Sequence, residues 1–491
     1  SQAESQRPGR RHRNRNRNGN QVATAGGHGD GGDGQQVSGG GRPWRRWRGN
    51  NNNASRQGGR RRGQGRRGRG NGRRRGGRRG GRRGGRGGRG HGNRGGRAGR
   101  VGRGGVWYND TVQLVNGLSN SVGAFGWDLY RRMATSNPDN FVFSPLSVYA
   151  AMGMLVLGSQ GQTKSQLISG LHVSSPIHPA FNHYNLSVPR GANAVGPYFT
   201  IASKLYHRQN FTYVARYQRK IRQFYQSDIE EFEEEYPEDG INEWVEEQTG
   251  GLIPDFLEDG AITDETILMP INTIYFWGNW STPFQASMTG LRPFMVNSSV
   301  TVQVETMGKT GFFRKIHHPT LLATVLELPY TGGRFSMFVI LPDEGVSLHS
   351  LEEIITPQTL NTTLNMSIPE SNIYLEIPKF SLDTDEDMKS RLQELGIQHI
   401  FDPATCRLRR MTTAQNVAVS EVRHRAVMQV DESGTTAAAV TSVSISLTSI
   451  GFAPTELKVN RPFLFMLRDK QYNMNLFMGR YVNPQGDSVD E

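Results

Sequence analysis

Val115, Leu118, Val122, Phe125 and Leu129 recur at spacings of three and four residues, which places them on one face of a helix. They predict an amphipathic helix at the start of a folded unit. Further on the period changes. Ile271 to Phe276, Thr324 to Leu328 and Phe335 to Leu341 read as strands, the last two separated by Thr331-Gly332-Gly333-Arg334, a hairpin connection. Ile373, Leu375 and Ile377 alternate with Tyr374 and Glu376 up to Pro378, and another apolar run occupies Pro462 to Leu467. Helical patterns dominate the first half of the patterned region and strands the second, without βαβ alternation. The expectation is an α+β architecture with mostly antiparallel sheets.

Upstream of residue 106 the patterning vanishes. Residues 1–105 contain 30 Arg, no Lys, 35 Gly and only the acids Glu4, Asp30 and Asp33, whereas residues 106–491 carry 28 Lys and Arg against 41 Asp and Glu. The sequence pI near 10 therefore describes a basic segment attached to an acidic remainder. So few apolar side chains cannot offset the entropy of ordering, and residues 1–105 read as a disordered Arg/Gly-rich tail preceding a folded domain at 106–491. Between residues 60 and 105 the tail is nearly pure Arg and Gly, as in Arg73-Arg74-Arg75-Gly76-Gly77-Arg78-Arg79 followed by Arg82-Arg83. Each guanidinium offers a planar fork to phosphate or sulfate, so these arginines predict multivalent, salt-sensitive polyanion binding. A solubilising spacer has no need of so many mutually repelling charges.

No uninterrupted apolar run approaches the roughly 18 to 20 residues that span a bilayer. Cys406 is the sole cysteine, which excludes an internal disulfide. Asn-x-Ser/Thr triplets begin at Asn109, Asn185, Asn210, Asn279, Asn297, Asn361 and Asn365, and at Asn53 in the tail. Together with a start at Ser1 and no apolar leader, they fit a mature, glycosylated, secreted protein. The folded part has no Gly-x-Ser-x-Gly, phosphate-binding glycine loop, dinucleotide fingerprint or His-Glu-x-x-His, so the expectation is a protein that is not an enzyme and holds no metal or cofactor. The pair His317-His318 reads as a solvated loop. Glu230 to Glu235 reads as a solvated acidic face.

The most informative stretch runs from Asp431 to Phe463 and has no Lys or Arg before Lys458. In an extended chain Thr435, Ala437, Ala439, Thr441, Val443 and Ile445 share one side, and Ser442, Ser444 and Ser446 the other. That is the phase of a strand with one buried face. Yet Ser449-Ile450-Gly451-Phe452-Ala453-Pro454 contains breakers and resembles an exposed connection. The segment reads either way.

Seven collinear motifs now converge. Asn140 to Ser147 (NFVFSPLS), Asn272 to Trp280 (NTIYFWGNW), Glu327 to Tyr330 (ELPY), Ile377 to Phe380 (IPKF), Asp431 to Thr435 (DESGT), Asn460 to Phe463 (NRPF) and Phe477 to Arg480 (FMGR) resemble the signatures of the serpin family, in its order. The resemblance covers residues 110 to 485 and leaves the tail outside. It implies a metastable fold of three β-sheets and about nine helices with an exposed reactive loop, here about 432–454. A target serine protease attacks that loop, forms an acyl-enzyme, and is trapped when the cut loop inserts into the largest sheet.

The resemblance also assigns residues. Glu432, Gly434, Thr435, Thr436, Ala437, Ala438 and Ala439 correspond to the hinge, whose small side chains slide between strands without clashing. Counting from Glu432 puts the scissile bond between Thr448 and Ser449, with Leu447, Ile450, Gly451 and Phe452 as alternatives. All are uncharged. Trypsin-like proteases are therefore disfavoured, because their pocket carboxylate would stay unpaired, and elastase-like or chymotrypsin-like targets are expected. Ser144, Ser147, Asn272 and His424 match a polar cluster beneath the main sheet, and Trp280 an aromatic at its top, so glycosylation at adjacent Asn279 is disfavoured. Ser144 beside Pro145 also reads simply as a helix cap. The expected molecule is a monomer whose partners are a serine protease and, through the tail, a heparin-like polyanion. Two alternatives are a nucleic-acid-associated serpin using the Arg/Gly tract and a non-inhibitory protein of the same fold.

Overall fold

The computed structural model describes residues 103–189, 196–209, 211–233, 235–366, 369–435 and 453–487. The first helix, Arg103–Ser136, carries all five predicted apolar positions at 0% exposure, and it begins three residues before the expected boundary. Nine α-helices and fifteen strands follow one another among the described residues, helices mostly first and strands mostly later.

One sheet has six strands. In spatial order they are Phe380–Asp387, Arg423–Val430, Gly434–Thr435, Leu268–Asn279, Tyr198–His207 and Ile229–Glu231. Along Arg423–Val430 every second residue is buried, the signature of a strand with one face on the core. The other sheet runs through Phe141–Phe143, Met474–Tyr481, Phe463–Asp469, Phe335–Pro342, Ala323–Pro329, Thr301–His318, Glu370–Pro378 and Thr455–Lys458, with Gly290–Met295 also paired to Thr301–His318. Its strands Phe335–Pro342, Phe463–Asp469 and Met474–Tyr481 are buried at every position, which accounts for the apolar runs at 335–341 and 462–467.

Thr301–His318 is 18 residues long and serves two neighbours. Residues 314–318 pair with Ala323–Pro329, and residues 306–314 with Glu370–Pro378. The second and third of the three expected sheets are thus continuous through this strand. The hairpin between Ala323–Pro329 and Phe335–Pro342 turns through Gly332 and Gly333, both at positive φ, as a tight connection requires. His317 and His318 end the long strand rather than forming a loop, and His317 Nε2 lies 2.8 Å from Asp343 Oδ2.

The helix Pro145–Gly158 packs against Leu268–Asn279, Tyr198–His207 and Met474–Tyr481. It is apolar on all sides and almost wholly buried. Ser144 caps it by accepting from Ser147 N–H, and Pro145 occupies the first turn, where its missing N–H costs nothing. This helix forms the floor of the six-stranded sheet.

Candidate functional site

Arg423–Val430 and Leu268–Asn279 run parallel and pair directly at Arg423↔Ile271, His424↔Asn272 and Arg425↔Thr273. There the direct ladder ends. Higher up, Val430 and Gly278 are level with each other but separated by Thr435, which pairs antiparallel to both, while Gly434 pairs with Asn279. The sheet therefore has a seam, closed below and held apart above by two residues. Thr435 is 2% exposed.

Only glycine fits at 434. A Cβ there would lie 1.9 Å from the Gly278 carbonyl oxygen and 2.8 Å from Asn279 Cα, both backbone atoms that cannot step aside. The turn leading into the seam is drawn tight by Asp431, whose carboxylate accepts from the N–H groups of Ser433 (2.8 Å) and Gly434 (3.0 Å). Thr435 Oγ1 lies 2.6 Å from Tyr330 Oη, and the Tyr330 ring stacks on Trp280 with centroids 4.5 Å apart. Trp280 in turn grips the hinge twice: its backbone N–H donates to Ser433 O (2.8 Å) and its indole N–H to Asp431 O (2.9 Å). Glu432 faces Thr289, which donates at 2.8 Å, and Lys379, whose Nζ is 3.4 Å away. Burial opposes ionisation of Glu432, but the Thr289 hydroxyl, its own backbone N–H and Lys379 outweigh it and hold the carboxyl below its usual range.

Beneath the closed part of the seam, Ser144 N–H donates to His424 Nε2 at 3.0 Å. Asn272 Nδ2 donates to Ser203 Oγ on the neighbouring strand. Burial pushes His424 down to about 4, against an opposing pull from the Asn272 backbone, so the ring is neutral at physiological pH with Nε2 as acceptor. The hydroxyl of Ser147 is buried without a partner. Ser144, Ser147, Asn272 and His424 thus do meet at one place, and Trp280 sits above them at the open end. Sequence reading assigned no role to Tyr330, Asp431, Thr289, Lys379 or Gly278, although Tyr330, Asp431, Lys379 and Gly278 lie inside the seven motifs. The contacts of Tyr330, Thr289, Lys379 and Gly278 span long chain separations, which no local pattern encodes, whereas the turn that Asp431 makes with Ser433 and Gly434 is local and was a signal the chain did offer.

Other expected residues fall elsewhere. Thr436, Ala437, Ala438 and Ala439, the scissile pair Thr448 and Ser449, the alternatives Leu447, Ile450, Gly451 and Phe452, Asn210, and Arg73, Arg74, Arg75, Arg78, Arg79, Arg82 and Arg83 lie outside the described residues. Asn109 lies within the first helix. Asn297 is exposed and its Oδ1 accepts from Ser299 and Val300 N–H. Asn361 and Asn365 accept from the buried Arg468 guanidinium. Asn185 corrects the glycosylation set: it is 4% exposed on the helix Ile177–Ser187, and a glycan there is incompatible with that packing. In the acidic run Glu230 bonds Lys204 at 2.9 Å and Phe232 is buried, so the run is only partly a solvated face. No helix among the described residues is long and apolar enough to cross a membrane, and no three His, Cys, Asp or Glu side chains there are grouped to hold a metal ion.

A sheet parted at one end by Gly434 and Thr435, above a buried polar cluster of Ser144, Asn272 and His424, is a distinctive arrangement. Comparison with known proteins identifies the class: residues 120–484 match the family described as serpin (serine protease inhibitor). The chain is 32% identical over 383 residues to leukocyte elastase inhibitor from Equus caballus, covering 75% of this chain and 99% of that protein. It is 31% identical over 377 residues to Serpin B9 from Homo sapiens, with the same coverage. Among solved structures it resembles human thyroxine-binding globulin in complex with thyroxine (26% identity, TM-score 0.69) and the mouse protein-Z dependent protease inhibitor (26%, 0.68), each covering 76% of this chain and 99% of the other. The chain belongs to the serpin family. It is not an enzyme.

Proposed function

We propose that this serpin is a suicide-substrate inhibitor of serine proteases with elastase-like or chymotrypsin-like preference. The observation that carries the proposal is the register of Gly434–Thr435 in the seam. Continued in that register, Thr436, Ala437, Ala438 and Ala439 would come level with Trp277, Phe276, Tyr275 and Ile274, the stretch above the end of the direct ladder. Ala437 and Ala439 would share the buried side with Thr435. Small side chains at those positions separate the flanking strands at little steric cost, and none is charged.

Carried on, the same register brings Ile445 level with Leu268, the first residue of that strand, and Thr448 just beyond it. A cut after Thr448 therefore frees a strand long enough to fill the seam completely. A protease acylated there would be carried roughly 40 Å, at about 3.3 Å per inserted residue. The uncharged residues 447–452 leave the carboxylate of a trypsin-like pocket without a partner. We further place the protein outside the cell, on its sequons, of which Asn297 is exposed, and assign polyanion binding to the arginines of residues 60–105.

Incubation with pancreatic elastase, chymotrypsin and trypsin tests the reading. The expected result is a denaturant-resistant complex with one of the first two and release of a peptide beginning at Ser449. Clean cleavage without any complex, or rapid trapping of trypsin through this loop, would refute it. Removal of N-linked glycan from secreted protein should lower its mass, with no sugar on Asn185.

A further inference from the structure

Residues 106–491 carry more acids than bases, so cations there should find carboxylates easily. One group does not. A cavity of about 500 Å³ is lined by Lys164, His178, Arg216, Tyr217, Lys220 and Arg410 among others, with no Asp or Glu in its wall. Four strong cations converge on it from three places in the chain: the helix Gly161–Gly170, the helix Ala215–Tyr225, and the loop around Arg410. None of the four side chains has a hydrogen bond or ion pair to a described residue. Arg222, on the same helix as Arg216 and Lys220, shows the contrast, since it bonds Asp228 through Nε at 2.9 Å and Nη2 at 2.5 Å.

The convergence is held by packing. Tyr217, Ile221 and Tyr225 bury one face of the helix Ala215–Tyr225, and Tyr217 Oη donates to Met154 O at 3.0 Å. Val214 N–H donates to Met411 O at 2.7 Å, which ties the helix start to the Arg410 segment. His178 Nδ1 lies 2.6 Å from Tyr225 Oη. Burial, Lys164 and Lys220 together push His178 down to about 4, so it adds no charge, and burial, Arg410 and Lys220 lower Lys164. The cations sense one another, and their repulsion is unrelieved.

We propose that this cavity is a binding site for a compact oxyanion ligand bearing two or more phosphate or sulfate groups, separate from the Arg/Gly segment and from the sheet seam. A single carboxylate would leave most of the charge uncompensated, and the volume suits a ligand no larger than a small sulfated or phosphorylated sugar. The arginines supply planar forks and the lysines compact charges, a combination that suits tetrahedral oxyanions.

Thermal unfolding of the full chain with pyrophosphate, and separately with a trisulfated disaccharide, tests this. A ligand held by the folded cavity binds the native state alone and raises the unfolding midpoint. The Arg/Gly segment keeps its charges in the unfolded chain, so binding there leaves the midpoint unmoved. The midpoint should rise by several degrees with at least one ligand, and whichever ligand acts identifies phosphate or sulfate as the source. Lys220→Gln and Arg410→Gln should each weaken the midpoint-shifting affinity about tenfold. Lys220→Arg with Arg410→Lys should retain it. Without ligand, Lys220→Gln should unfold no earlier than the wild type, because repulsion has been relieved, and this separates lost binding from lost folding. No midpoint shift with millimolar amounts of either ligand, or an undiminished shift in Lys220→Gln/Arg410→Gln, overturns the proposal.

Discussion

Replacing Gly434 with alanine puts a methyl carbon 1.9 Å from the Gly278 carbonyl oxygen. Ordinary contact needs more than an ångström beyond that, and the opposing atoms are backbone of Gly278 and Asn279, the last two residues of the strand Leu268–Asn279. Gly434–Thr435 must therefore leave the seam. Its departure breaks the pairing with Val430, Gly278 and Asn279 and the 2.6 Å contact between Thr435 Oγ1 and Tyr330 Oη. Tyr330 is fully buried, so its hydroxyl loses a partner that water does not readily replace, at about 1–3 kcal/mol, and the ladder contacts add about 1 kcal/mol. The total is roughly 3 kcal/mol, which urea unfolding resolves as a midpoint shift with little change in slope. The same methyl obstructs the path of the inserting strand, so more cleaved molecules should release protease before trapping it, and the stoichiometry of inhibition should rise above one. If Gly434→Ala unfolds at the wild-type urea concentration and inhibits one-for-one, the seam is not occupied as described.

Four further outcomes follow from the same geometry. His424 has a folded pKa near 4 against about 6.5 unfolded, so the unfolded chain takes up the proton first: its contribution is complete above about pH 6.5 and falls by roughly 3 kcal/mol as the pH drops towards 4. A His424→Gln protein should lose that component of the pH dependence, measured as the difference between the two stability curves. Trp280→Phe removes the indole donor to Asp431 O and some of the stack on Tyr330, and should lower stability by about 1–3 kcal/mol in urea. Glu432→Gln should cost under about 1 kcal/mol, because Lys379 is 39% exposed and Thr289 can still donate to the amide oxygen; a larger loss in the same assay would mean the pair is stronger than its exposure allows. Limited proteolysis between Ala439 and Pro454 should raise heat resistance sharply in calorimetry, and an unchanged midpoint would remove the basis for strand insertion.

Much of the fold was legible because it rests on local periodicity. The heptad-like run from Val115 to Leu129, the alternation around Ile373 and the apolar runs at 335–341 and 462–467 each follow from what one element must bury. Boundaries were less legible: the long strand Thr301–His318 swallowed a histidine pair that looks like a loop, because its polar residues face solvent at one end while its backbone still pairs.

What the chain alone determined, then, is which segments fold, which side of each is apolar, and that Gly434 to Val440 carry only small, uncharged side chains. Tertiary structure alone decided that Gly434 meets the Gly278 carbonyl, that Tyr330, at the end of a strand of the other sheet, reaches Thr435 while Trp280 bonds Asp431 and Ser433, that Asn185 is inside, and that Lys164, Arg216, Lys220 and Arg410 share one cavity. The physical reason is range. Side-chain period and composition act over a few neighbouring residues, whereas steric contact, desolvation and charge repulsion act across a few ångströms between residues that the chain itself holds tens to hundreds of positions apart.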